Sequence, residues 1–312
     1  MSLVLSVVVP CFNEEDVLLL FYNRMKKACD TAVPSGAYEI IIINDGSTDN
    51  TWQLAQQLVK DDPKVVAIDL FRNHGHQLAV TAGLMKSKGS RVMMIDADLQ
   101  DPPELLEPFM KKIDEGFDVV YGQRKIREGE SVFKRFTAKY FYRILSSTST
   151  TDIPLDTGDF RLMTRKVVDQ VNQMQESHRF LRGMVAWVGG RQVAYQYDRE
   201  KRAAGETKYT LSKMVSFAAD AITGFSTSPL RLAIYVGIAA LFFAMILMAY
   251  VIISYVYFET VPGWASLGCI FLMFSSVQLI ILGFIGDYIG RIFVEVKGRP
   301  LINIRQVLHR DS

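Results

Sequence analysis

The chain has 312 residues, enough for about two structural units. Its 35 Lys and Arg against 33 Asp and Glu leave a net charge of +2, without the basic excess of a general nucleic-acid binder. Hydrophobic residues at 49% and charged residues at 22% exclude a disordered chain, and three scattered cysteines (Cys11, Cys29, Cys269) exclude a disulfide framework and a CxxC zinc site.

The first 124 residues alternate between two periodicities. LVLSVVVP (3–10) is a continuous apolar, β-branched run ending at Pro10, the pattern of a strand buried on both faces. Residues 14–32 read as a helix. YEIIIIND (38–45) is a second strand, and Asp45, Ser47, Thr48 and Asp49 supply turn and cap chemistry before the helix TWQLAQQLV. VVAIDLF (65–71) is a third strand, followed by the helix HQLAVTAGLMKS. RVMMIDAD (91–98) is a fourth, with Pro102 and Pro103 opening the helix ELLEPFMKKIDEG. DVVYGQR (118–124) is a fifth. Strands and helices alternating at this spacing predict an α/β domain with a mainly parallel sheet. Ligands in such sheets sit beyond the carboxyl ends of the strands. The polar clusters there are CFNEE, NDGSTD, RNHGH and DADLQD.

Asp96, Asp98, Gln100 and Asp101 fall within six residues of one another. An extended chain would turn Asp96, Asp98 and Gln100 to one side. Grouped oxygen donors without His or Cys suit Mg²⁺ or Mn²⁺ bridging a diphosphate. The bland alternative is a solvated turn with Asp101 as a helix cap. No GxxxxGK[ST] or GxGxxG follows any strand, which argues against a Walker-type NTPase or a dinucleotide enzyme. His74 and His76, two residues apart without a third ligand, fit zinc poorly. A role near the donor, or plain surface histidines, suits them better.

The mean hydropathy of +0.14 is unevenly distributed. Residues 232–258 and 260–286 are two uncharged runs of 27 residues each. Each is long enough to cross about 30 Å of hydrocarbon. FETVPG (258–263) separates them as a short turn, giving a helical hairpin with both ends on one side. Arg231, Arg291, Lys297, Arg299, Arg305 and Arg310 flank the hairpin, and the turn has no Lys or Arg. The positive-inside rule therefore predicts a cytoplasmic domain and cytoplasmic termini. The N-terminus lacks a basic, apolar leader and does not read as a signal peptide. The expected organisation is a domain over 1–208, an interfacial juxtamembrane helix over 209–229, two membrane helices over 230–287 and a tail over 288–312.

At this point the residues resemble a known group. VVVPCFNEE (7–15), NDGSTD (44–49) and DADLQDPPE (96–104) resemble the three characteristic segments of family 2 glycosyltransferases. DTGDFRLMTR (156–165), FLRGMVAWVGG (180–190), RAAGETKY (202–209) and the ending GDYIGRIFVEVKGRP (286–300) resemble the polyisoprenyl-phosphate glycosyltransferases, and the bactoprenol glucosyltransferases among them. The resemblance implies a GT-A fold, a bacterial inner-membrane location with several passes, and inverting transfer of one sugar from a nucleotide sugar to a lipid phosphate. The expected pair is UDP-glucose and undecaprenyl phosphate. It also implies roles. Pro10, Phe12, Glu14, Asp45, Asp96 and Ala97 would contact the nucleotide sugar. Asp96, Asp98 and Gln100 would hold the metal. Asp98 and Asp159 would be catalytic, Asp159 being the acidic residue of GDFRL. Arg124, Arg135, Arg202 and Lys208 would hold the acceptor phosphate.

A phosphate monoester has its second pKa near 6 and is largely a dianion at pH 7, so the acceptor is already nucleophilic. Asp159 is then either a base or a group that orients a sugar hydroxyl or stabilises positive charge at the anomeric carbon. The aromatics Phe133, Phe136, Tyr140, Phe141 and Tyr142 would cradle lipid or pack a core. The other readings are a different donor sugar (mannose, galactose, N-acetylhexosamine or aminoarabinose type), a processive synthase, which the absence of QxxRW disfavours, and a non-catalytic sugar-nucleotide sensor. Two membrane helices per chain would also permit self-association.

Overall fold

The computed structural model describes residues 3–124, 157–177, 179–198 and 263–310, with scattered positions between 235 and 257. The chain forms two compact units, one made of residues 1–142, 151–214 and 300–312, the other of 143–150 and 215–299.

The first unit is built on one eight-stranded sheet. Its strands are β1 (Leu5–Cys11), β2 (Tyr38–Asn44), β3 (Val65–Leu70), β4 (Arg91–Met94), β5 (Val119–Arg124), β6 (Thr157–Thr164), β7 (Gln192–Tyr197) and β8 (Ile304–Leu308), in the spatial order β7-β5-β6-β4-β1-β2-β3-β8. The pairs β4–β1, β1–β2, β2–β3 and β5–β7 are parallel. Among the described strands only β6 and β8 run against the rest, β6 between β4 and β5 and β8 on the edge of β3. The mainly parallel sheet agrees with the sequence reading.

The apolar runs of β1 and β2 follow from burial on both faces. Val7, Val9, Ile40 and Ile42 join one core with α1 (Leu18–Ala32), whose buried Leu18, Phe21, Tyr22, Met25, Ala28 and Cys29 recur at helical spacing. α2 (Thr51–Asp61) and α4 (Leu106–Asp114) also contribute to that core. On the opposite face lies α3 (His76–Lys86), and there a Cβ at Gly83 would collide with Val8 and Ile43. α5 (Arg165–Gln173) and α6 (Leu181–Val188) follow β6.

Where α3 returns to β4, the chain passes very close to β1. Gly89 donates its N–H to Ser6 Oγ at 2.7 Å, and Ser6 donates to Glu39 Oε1 at 2.6 Å. A Cβ at Gly89 would stand 2.5 Å from Leu5 C and Ser6 N, both backbone atoms that cannot rotate away. Gly89→Ala is therefore expected to destabilise the domain by about 3 kcal/mol. Denaturant unfolding checks this, and an unchanged midpoint would contradict the close approach.

The second unit contains α7 (Trp264–Val296). Among the described residues one helical stretch, Met273–Val296, is long and apolar enough to cross a membrane. It ends nine residues beyond the expected limit at 287. The charges that suggested the limit do not stop a helix, because Arg291 Nε reaches Asp287 Oδ2 at 3.1 Å one turn away. The stop comes at Gly298, with φ of 57°, whose N–H returns to Glu295 O at 3.1 Å. About half of the first expected span, 232–258, lies outside the described residues, and every described position within it is helical. The stretch 288–312, expected as a tail, carries the last turns of α7 and then β8.

Candidate active site

The loops after β1 and β2 are stitched to each other. Asn13, in a left-handed conformation with φ of 55°, accepts at Oδ1 from Thr48 N at 2.8 Å, and its own N–H reaches Ser47 Oγ at 3.0 Å. Glu14 N donates to Thr51 Oγ1 at 2.8 Å and Glu15 N to Asp49 Oδ2 at 3.2 Å. CFNEE and NDGSTD thus form one surface at the carboxyl ends of β1 and β2. Pro10, Phe12 and Glu14 are half-buried there. Asp45 is buried and accepts from His74 N at 2.7 Å and Gly75 N at 2.9 Å. Burial pushes its carboxyl up, and those two amides oppose the shift. Its carboxylate therefore shapes the loop that opens α3.

β4 stops at Met94, four residues short of the expected end, so extended alternation does not bring the acidic residues together. The segment turns instead. Leu99 takes a left-handed φ of 58°, and Gln100 N donates to Asp98 Oδ1 at 3.1 Å. Ala97 is buried beneath the turn, while Asp98 and Gln100 are half-buried. Asp101 is not a helix cap. It is buried and accepts a hydrogen bond from Tyr197 Oη on β7. Tyr197 packs edge-on against Phe160 at 5.7 Å, and a Cβ at Gly122 would meet both rings. Gly122 thereby lets the acidic turn and β6 pack against β5.

Asp159, in β6, is 9% exposed and meets two other elements. Arg182 of α6 donates Nε to Oδ1 at 2.8 Å, and Gln77 of α3 donates Nε2 to Oδ2 at 3.0 Å. His76 Nε2 lies 3.2 Å from Asp159 Oδ2 and 3.6 Å from Asp96 Oδ1, so one imidazole bridges the two acidic segments. Burial disfavours its charge, but Asp96 and Asp159 outweigh that and raise His76 to about 9. Burial likewise opposes ionisation of Asp159, yet Arg182 and His76 hold its carboxyl well below the usual range. Asp96 moves the other way. Burial raises it, and Asp159, Asp101 and Asp98 add repulsion against His76. Arg161 is buried, which lowers its pKa to about 10, and it donates Nη2 to Gly158 O at 3.1 Å.

Pro10 lies near the end of β1, Phe12 and Glu14 in the loop after it, Asp45 just after β2, Asp96, Ala97, Asp98 and Gln100 in the turn after β4, and Asp159 in β6. Arg124 is the last residue of β5. Arg135, Arg202, Lys208 and the aromatics at 133–142 lie outside the described residues. Sequence reasoning assigned no role to Arg182, Gln77 or Tyr197. An arginine inside the otherwise apolar LRGMVAWV is the one available signal, since an inward charge needs a partner. A concavity of about 590 Å³ lies at the β3–β8 edge and one of about 310 Å³ between that edge and the NDGSTD loop, and Asp96, Asp98 and Asp159 line neither. Cys11 and Cys29 are buried. Burial, with Glu14, Asp96 and Asp49 nearby, raises the Cys11 thiol and leaves it unreactive.

The model of glycosyl transferase family 2 matches residues 6–171, which include the stitched loops, the acidic turn and Asp159. The chain belongs to glycosyl transferase family 2. Its sheet is of the GT-A type, and it is a glycosyltransferase. It is 46% identical over 302 residues to the uncharacterized glycosyltransferase YkcC of Bacillus subtilis (strain 168), covering 96% of this chain and 93% of the relative. It is 38% identical over 304 residues to the prophage bactoprenol glucosyl transferase homolog of Escherichia coli (strain K12), covering 97% and 99%. The bactoprenol glucosyl transferase of Shigella phage SfII is also 38% identical, over 309 residues, covering 99% of each chain.

Proposed function

We propose that this glycosyltransferase moves a single sugar, glucose from UDP-glucose, onto the phosphate of undecaprenyl phosphate at the cytoplasmic membrane face. The observation that carries the reading is the His76 bridge, which places the buried carboxylate of Asp159 beside the acidic turn. Full-length similarity to proteins named bactoprenol glucosyl transferases supports the lipid acceptor and the glucose. The apolar stretch Met273–Val296 supports membrane attachment, and we assign 232–258 as a second membrane helix.

Among the described residues no three His, Cys, Asp or Glu are grouped to hold a metal ion. The acidic turn instead presents two carboxylates and an amide, all oxygen donors. That set fits Mg²⁺ or Mn²⁺, which complete their shells with water and phosphate oxygens. The crowding that raises Asp96 is also what a cation would relieve. Asp96, Asp98 and Gln100 would hold the ion, which when bound neutralises charge on the departing diphosphate.

The acceptor dianion attacks the anomeric carbon from the face opposite the nucleotide, giving inversion. No proton need be removed from it. Asp159, kept ionised by Arg182 and His76, serves as a fixed negative charge near the carbon that becomes positive, or as an acceptor for a sugar hydroxyl. Pro10, Phe12, Glu14, Asp45 and Ala97 would frame the nucleotide. Arg124, Arg135, Arg202 and Lys208 would hold the lipid phosphate.

Membranes carrying the chain, incubated with labelled UDP-glucose, UDP-galactose, UDP-N-acetylglucosamine or GDP-mannose, test the reading by organic extraction. Label should enter the extract from UDP-glucose. Extraction of label from another donor would replace glucose, and none from any donor would refute lipid transfer. EDTA should stop the reaction and Mg²⁺ or Mn²⁺ restore it, with Asp98→Ala equally inactive. Indifference to chelation would remove the metal.

A further inference from the structure

Asp159 sits where the backbone gives little support. β6 pairs with β4 only as far as Arg161, opposite Met94. On its other side the register slips, with Tyr121 opposite Arg161 but Gln123 opposite Thr157. Residues 158–160 therefore have no regular ladder partner in either neighbour. The direction of the Asp159 carboxylate must be set by the side chains that grip it.

Two of those side chains form a connected device. Gln77 uses both ends of its amide: Nε2 donates to Asp159 Oδ2 at 3.0 Å, and Oε1 accepts from Leu181 N at 2.9 Å, at the start of α6. The next residue is Arg182, whose Nε meets Asp159 Oδ1 at 2.8 Å and whose Nη2 lies 3.4 Å from Oδ2. Gln77 thus registers α6 against α3 and steadies one carboxylate oxygen, while Arg182 approaches the carboxylate as a fork. A guanidinium fork fixes orientation in a way that a lysine point charge does not.

We propose that Gln77 and Arg182 are positioning residues of the sugar-transfer reaction, acting through Asp159 by locking both oxygens of its carboxylate in one orientation toward the acidic turn. The proposal rests on the function proposed above and adds to it two residues that act without touching substrate. Displacing a catalytic group by about 1 Å costs on the order of 10²-fold in rate.

The test uses the full chain in membranes and the extraction assay. Arg182→Ala should lower kcat by about 10²-fold while donor KM changes by less than about threefold. Added guanidinium should return at least about tenfold of that loss by refilling the vacated site, a response that a merely structural arginine would not give. Gln77→Leu should lower kcat by about tenfold, again with little change in KM. Arg182→Lys, which keeps the charge, guards against a folding failure of the alanine variant and should still fall about tenfold. Wild-type kcat in Arg182→Lys, or a loss in Arg182→Ala that guanidinium leaves untouched, would overturn the positioning role. Wild-type chain that moves no label from any donor would instead overturn the functional reading and this role with it.

Discussion

Asp159→Asn is expected to reduce transfer of label to the lipid extract by about 10³-fold, the size of effect seen when a group stabilising transition-state charge is removed. Asparagine keeps the shape and can still accept a hydrogen bond, so the change is mainly one of charge. In the wild type Asp159 faces Arg182 on one oxygen and His76 on the other. Neutralising it leaves two cationic groups around a buried amide. Breaking such a pair by removing one partner costs on the order of 3 kcal/mol, so the variant should also melt earlier. Activity is therefore compared at a temperature where both proteins are folded. An Asn variant with more than about a tenth of wild-type turnover would show that the charge of Asp159 is dispensable.

The same substitution should alter how stability depends on pH. His76 has a folded pKa raised to about 9, against about 6.5 when unfolded. The stability it contributes is complete below about pH 6.5 and is lost as pH rises toward 9. Asp159 has the opposite sign, because its folded pKa is depressed. Its contribution is present above about pH 4 and is lost on acidification. Removing Asp159 takes away one of the two carboxylates that raise His76, so the alkaline decline between pH 6.5 and 9 should shrink in the Asn variant. Melting temperatures across that window measure it, and an unchanged slope would contradict the bridge.

What could be read from the chain and what could not divide by the range of the interaction. β1 to β3 announce themselves because burial on both faces favours long apolar runs, and that constraint acts on consecutive residues. The acidic turn is visible for a similar reason, since its carboxylates follow an apolar strand directly. Its geometry is not visible, because nothing in DADLQD says that the strand ends at Met94 or that Leu99 turns left-handed. The two prolines that follow Asp101 make it a candidate helix cap in the sequence. Its actual partner, Tyr197, is 96 residues away. Arg182 is equally remote from Asp159 in the information that matters, for the pairing depends on α6 being registered by Gln77 from a third element. The insertion of β6 between β4 and β5 belongs to the same class, because strand order is a property of the assembled sheet.

The C-terminal residues make the largest demand on that distinction, and they carry the second large expected effect. Ending the chain at Arg299 should lower the melting temperature of the sheet domain by about 10 °C, which corresponds to roughly 3 kcal/mol for a domain of this size. From sequence, 300–312 reads as part of a cytoplasmic tail over 288–312. In the structure β8 pairs antiparallel with β3, from Ala67 opposite Leu308 to Leu70 opposite Ile304. Phe71 N adds a bond to Asn303 O at 3.0 Å. Arg305 donates Nη1 to Asp69 Oδ2 at 3.1 Å and Nη2 to Phe71 O at 3.1 Å. Asp69 is 2% exposed, so without Arg305 its carboxylate keeps Asn44 Nδ2, at 2.7 Å, as its described donor. The Arg305 side chain is 53% exposed, which limits the ion pair itself to about 1 kcal/mol or less. Most of the loss must then come from the ladder and from Leu308, which packs against the core. Arg305→Met separates the two contributions, since it keeps the strand and removes the guanidinium, and it should cost only a few degrees. Truncation also bares the outer edge of β3, whose unpaired N–H and C=O groups can template pairing with another chain. Aggregation on heating should therefore begin earlier in the truncated protein than in Arg305→Met. Equal melting of truncated and full-length chains would mean that β8 adds nothing to the sheet it borders.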